Sequence, residues 1–125
     1  MRQRISSGSS FERDIGFSRA VGVGDTVWVS ATAAIWPDGH VDPDPGVQAS
    51  RCLEIIAAAL AEAGAGLADV VRTRMFLVDR GDVDAVGAAH GRAFGDVRPA
   101  SAVILVSGFI DPRWRVEIEA DAVVC

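Results

Sequence analysis

The chain has no lysine. All twelve of its basic side chains are arginines, and seventeen Asp and Glu outnumber them to leave a net charge of −5. Nucleic acids and anionic membranes are bound through a basic footprint, so this balance argues against both partners. Cysteine is nearly absent: Cys52 and Cys125 are too few for a disulfide framework, which fits a reducing compartment and a cytoplasmic location. No apolar run reaches membrane-spanning length, and the start of the chain is too polar for a signal peptide. The two histidines, His40 in a turn and His90 on a predicted helix, have no neighbours that complete a zinc-type set, so no metal site is expected. What is present is 125 residues, half of them hydrophobic and 23% charged, the balance of one globular domain over residues 1–125.

Periodicity divides the chain into eight elements in the order βββαβαββ. Strands are predicted at residues 2–6, 17–23 and 26–32, the last two flanking a Gly24-Asp25 turn, while 6–10 has the Ser- and Gly-rich composition of a flexible loop. Helix spacing over 47–63 puts Ala49, Cys52, Leu53, Ile56, Leu60 and Ala63 on one stripe, and Gly64 stands where a glycine ends a helix. A strand at 70–78 leads to a second helix at Val83–Phe94, with Asp82 as its N-cap and Gly95 just beyond its end. Strands at 100–106 and 113–123 complete an α+β domain with two helices on one face of a mixed sheet.

Strand alternation predicts what the helix-free face carries. In the last strand Val116, Ile118, Ala120 and Ala122 share one side and Glu117, Glu119 and Asp121 the other. The fourth strand divides likewise, with Val71, Thr73, Met75 and Leu77 toward the helices and Arg72, Arg74 and Phe76 away from them. The helix-free face is then mixed, charged groups lying beside Phe76, Trp28, Val103 and Leu105. Such a face suits cover by other copies of the chain, with Arg72 or Arg74 paired to Glu117 or Glu119.

Candidate chemistry is sparse. Cys52 lies on the apolar stripe and reads as a small core residue. Gly22-Val23-Gly24 precedes a strand, so it is no phosphate cradle. Gly87 and Gly91, four apart on the second helix, suit either close approach of a ligand or tight helix–sheet packing, the commoner case. Arg98 and Ser101, around Pro99, present donors at a strand start, although Arg98 also reads as a surface arginine. Glu117 suits either proton chemistry at a subunit seam or a structural pairing with Arg72 or Arg74, and the residues by themselves favour the pairing.

Three stretches resemble the Rid (YjgF-type) family. They are Gly16-Phe17-Ser18-Arg19-Ala20-Val21 with Gly24-Asp25-Thr26-Val27-Trp28-Val29-Ser30, then 70–79, then Arg98-Pro99-Ala100-Ser101-Ala102-Val103 with Val116-Glu117-Ile118-Glu119-Ala120. The resemblance implies a chorismate-mutase-like domain assembled as a homotrimer, with the sheets forming a central barrel and a small-molecule cleft at each seam. It further implies hydrolysis of reactive imines or enamines to ammonia and a 2-keto acid, without a cofactor. Ser30 and Glu117 keep the family's cleft serine and glutamate. Phe17 stands where deaminase members have tyrosine, Gly87 where they have asparagine and Val103 where they have cysteine. Ser101 occupies the place of the carboxylate-binding arginine.

One hydroxyl cannot supply a bidentate, charge-assisted contact, so Arg74 and Arg98 are the candidates to replace the guanidinium. Three functions follow. One is hydrolysis in which Ser30 orients the substrate, Phe17 walls the cleft and Glu117 positions water. The second is a trimer that binds a small metabolite without turnover, and the third a structural trimer whose role lies in contacts with other proteins.

Overall fold

A computed structural model describes residues 2–125. Strands β1 (Arg2–Ile5), β2 (Ala20–Val23), β3 (Thr26–Ala33), β4 (Val70–Leu77), β5 (Ala100–Leu105) and β6 (Val116–Val123) form one sheet in the order β1-β2-β3-β6-β4-β5. Every pairing is antiparallel except β4 with β5. That parallel pair needs a crossover, which the second long helix supplies. Helices α2 (Pro45–Glu62) and α3 (Val83–Phe94) pack against each other, and α2 lies across β3 and β6. A short helix, α1 (Ser10–Ile15), lies between β1 and β2. Among the described residues no helix is long and apolar enough to cross a membrane.

The helix stripe and the sheet face meet as the periodicity predicts. Cys52, Ile56 and Leu60 of α2 and Val116, Ile118, Ala120 and Ala122 of β6 are all fully buried. The start of α2 is built by Asp44, whose carboxylate accepts hydrogen bonds from the Gly46 and Val47 amides, with Pro45 opening the first turn. At its end Gly64 takes φ +82°, the left-handed conformation that glycine adopts without steric cost.

Several expectations are corrected. The serines at 6–10 are anchored: Ser6 and Ser7 donate to the Glu12 carboxylate, and the Ser9 hydroxyl accepts from the Phe11 amide to start α1. Strand β2 begins at Ala20, so Phe17 lies outside it. Asp82 stands at the N-cap of α3 as expected, but its side chain caps no amide there. Its carboxylate takes a two-pronged contact from the Arg115 guanidinium (2.8 and 2.9 Å), a stronger use of the charge than a backbone amide. A bulge between Val70 and Arg72 turns Val71 out to 47% exposure and buries Val70 instead. The register Met75↔Val103 and Leu77↔Leu105 puts Val103 and Leu105 on the helix side, and Ile104 lies beside Phe76 on the open side. Strand β5, at the sheet edge, is exposed along its whole length.

Candidate functional site

One group of candidates gathers where β3 is irregular. The pairing of β3 with β6 shifts register between Val29 and Thr32, and Ser30 sits in that bulge. The Ser30 hydroxyl donates to the Ser18 carbonyl at 2.7 Å, which fixes the segment carrying Phe17 and leaves the oxygen's lone pairs free to accept. Arg19 is buried beneath this segment. Its guanidinium carbon lies 5.7 Å from the centre of the Phe17 ring, and one terminal nitrogen donates to the Ala31 carbonyl at 2.7 Å. Its Nε is buried with no hydrogen-bond partner.

Glu117 stands on the open face between Ala33 of β3 and Phe76 of β4. It is half-buried, and its carboxylate forms no hydrogen bond or ion pair with the described residues. Burial pushes its pKa above the ordinary carboxylate range, against the weaker opposing pull of the Arg19 charge. Arg19 is itself shifted down by burial, which the charges of Glu12 and Glu117 partly offset. Arg74 takes a different partner from Glu117: it donates to Glu119 at 3.0 Å and lies 3.8 Å from Asp121. The structural pairing of Glu117 with Arg72 or Arg74 is therefore overturned, because the register sets an aromatic ring beside Glu117.

A second group lies across the sheet, on the helix side. Thr73 of β4 is buried beneath α3 and next to Ser101 of β5. Its hydroxyl oxygen is 2.8 Å from Ser101 Oγ and 2.8 Å from His90 Nε2. Gly87 and Gly91 are both exposed, with open space where a Cβ would stand, so tight helix–sheet packing does not explain them. Val103 is 47% exposed on the same edge. Arg98 ends α3 in the left-handed conformation (φ 53°), its amide donating to the Phe94 carbonyl at 2.8 Å, and its side chain projects outward.

Arg19 therefore links the Phe17 ring to the Glu117 charge, with Ser30 holding the segment that carries Phe17, whereas Ser101 and Val103 of β5 lie on the helix side of the sheet. One chain does not bring the two groups together. Arg74 is held by Glu119 and Asp121, and Arg98 by its turn, so neither lies with Glu117 and Phe17 as a replacement guanidinium. Sequence reasoning missed Arg19, Thr73 and His90 as parts of these groups. Arg19 lies inside the motif that carries Phe17, but nothing in the residues shows that its charge is buried. The contact between Thr73 and His90 depends on how α3 lies on β4. Cys52 lies elsewhere in the core, where burial raises its thiol pKa far from nucleophilic range. Among the described residues no group of His, Cys, Asp and Glu could hold a metal ion.

Comparison with known proteins agrees with this fold. The family model described as Endoribonuclease L-PSP matches residues 8–124. An uncharacterized protein of Streptomyces coelicolor is 42% identical over 121 residues, covering 96% of this chain and 90% of its own length. A RutC family protein of Pyrococcus abyssi is 34% identical over 108 residues, covering 85% of this chain and 84% of its own. The crystal structure of Rv2704 from Mycobacterium tuberculosis, described as a member of the YjgF/YER057c/UK114 family, superposes with a TM-score of 0.92 at 43% identity, covering 99% of this chain and 100% of the other. These matches along almost the full length lead to one conclusion: the chain belongs to the YjgF/Rid family, the Endoribonuclease L-PSP family of the matching model.

Proposed function

We propose that the protein is a homotrimer that hydrolyses a small imine, enamine or related C–N compound in clefts at its subunit seams, without a cofactor. The observation that carries this reading is Glu117. Its half-buried carboxyl is shifted toward the neutral form and bound by no other side chain, beside Phe17, Ser30 and the open face. A carboxyl in that state can hold a water and give a proton to a nitrogen that is gaining electrons. Ser30 accepts a hydrogen bond from the substrate, and Phe17 forms the cleft wall. Support for the seam comes from β5, where Val103 (47%), Ile104 (38%) and Leu105 (45%) are left exposed, as is Trp28 (46%) on the open face.

Ser101 narrows the substrate class. Without an arginine at that place the cleft lacks a bidentate anchor for a carboxylate, so the favoured substrate is one with no free carboxylate at that end. The same residue favours a second reading, a trimer that binds a small metabolite without turnover. An RNA-cleaving activity, which the family model's description names, has little support here. The net charge is −5, and the open face of β6 carries Glu117, Glu119 and Asp121.

Ammonia release from freshly generated 2-aminoacrylate and from neutral imines tests the reading, run beside light scattering for the mass. Turnover of the neutral imines, well above that of 2-aminoacrylate, is expected from a particle of three chains, and Glu117→Ala is expected to abolish it while leaving the mass unchanged. Ser101→Arg is expected to tighten binding of 2-imino acid analogues through a restored carboxylate anchor. A single-chain mass, or full turnover by Glu117→Ala, would overturn the proposal. Saturable binding of imine analogues with no ammonia released would establish the second reading in its place.

A further inference from the structure

We infer that Ser101, Thr73 and His90 form a proton relay that carries a proton from the seam at β5 to His90 Nε2. The inference rests on the hydrolytic reading above and gives Ser101 a chemical role in it. Three observations support it. The oxygens of Ser101 and Thr73 and the nitrogen of His90 are joined by two successive 2.8 Å contacts, both within ordinary hydrogen-bond length. The middle group is only 1% exposed, so no water competes for its single proton. The two ends differ: Ser101 lies on the exposed edge strand, whereas the His90 ring is half-buried, 4.7 Å from the ring of Phe94.

A threonine has one proton to donate, and this orders the chain. Thr73 can donate to Ser101 Oγ while Nε2 carries a proton; when His90 Nε2 is unprotonated it accepts from Thr73, and Thr73 must then accept from Ser101, so Ser101 Oγ turns its lone pairs toward the seam. Burial lowers the His90 pKa, which favours that neutral, accepting form. A Cβ at Gly87 or Gly91 of α3 would meet open space.

The proton movements balance. Water forms a C–O bond to the imine carbon and loses a proton to Ser101 Oγ. Ser101 passes its own proton to Thr73, and Thr73 passes its own to His90 Nε2. The C=N π pair goes to nitrogen, which takes a proton from the Glu117 carboxyl. In the second round the Glu117 carboxylate takes the carbinolamine O–H proton while C=O forms and C–N breaks. The nitrogen leaves as ammonia with the proton that His90 Nε2 returns through Thr73 and Ser101, which restores the Nδ1–H ring with Nε2 accepting.

Thr73→Val removes the middle oxygen at nearly constant volume. It is expected to lower kcat by about 10²–10⁴-fold, the usual worth of positioned proton transfer, with KM nearly unchanged. His90→Gln, at a half-exposed site where folding is not at stake, should give a similar loss, and Thr73→Ser should restore most of the rate. Nitrogen-15 NMR of His90 in the unliganded protein gives a readout independent of turnover. The relay requires Nδ1–H with Nε2 accepting, and a changed Nε2 signal in Thr73→Val. Wild-type turnover matched within twofold by Thr73→Val would overturn the relay and leave the hydrolytic reading intact. If the wild type releases no ammonia, the hydrolytic reading fails; a proton then found on Nε2 overturns the relay too, whereas accepting Nε2 upholds it as a proton path.

Discussion

The Arg19 charge acts on two carboxylates with opposite behaviour. Glu12 is also buried, which by itself would raise its pKa. Hydrogen bonds from Ser7 and Ser6, with the Arg19 charge, outweigh that effect and hold it below the ordinary carboxylate range. Glu117 has no such donors and is shifted up. The two groups therefore act on stability in opposite directions. Glu12 adds stability above the unfolded carboxylate pKa, and that contribution is lost as pH falls through its lowered value. For Glu117 the folded protein holds its proton more tightly than the unfolded chain, so stability declines as pH rises from the ordinary carboxylate range through the raised value. Glu117→Gln should consequently stabilise the protein by about 1 kcal/mol at pH 8, a modest return for removing a partly solvated charge. The gain should disappear near pH 4, where both states are protonated, as thermal unfolding of the two proteins at each pH will show. An equal gain at both pH values would mean that the ionised carboxylate costs the fold nothing.

Helix α2 shows how far an element can be read from residues and where reading stops. Its apolar stripe is legible because it repeats at helical spacing, and every residue of it but Ala63, which is only partly buried just past the last turn, is buried. Gln48 is fully buried too, yet no pattern announces it. Its amide nitrogen donates to the Asp42 and Arg113 carbonyls and its oxygen accepts from the Arg115 amide, tying α2 to the entrance of β6. Gln48→Ala should cost about 2–4 kcal/mol, because three backbone groups lose their partner together, and denaturant unfolding will measure it. Strand parity has the same limit. It is correct along β6, where apolar and acidic residues alternate without interruption. It fails at Val71, because a bulge shifts the register, and at Val103, because 103–105 is an unbroken apolar run that favours neither face. Of the candidate site, the family motifs carry Ser30, Glu117, Phe17 and Ser101. The partners that set their chemistry, Arg19 for Glu117 and Thr73 with His90 for Ser101, come from elements whose contacts only folding establishes.

At the scale of the whole molecule, the separation of the two residue groups has a genetic consequence. If each seam joins the Glu117 side of one subunit to the Ser101 edge of its neighbour, two defects carried by different chains need not coincide in one cleft. A Glu117→Ala chain still offers a sound edge, and a Thr73→Val chain still offers a sound face. Unfolding an equimolar mixture of the two inactive proteins and reassembling it should return roughly one quarter of the native rate, since that share of head-to-tail seams would unite both sound halves. The double variant, refolded with itself, should return nothing. Two broken genes in one cell would then complement each other, through clefts that neither product can build with its own kind.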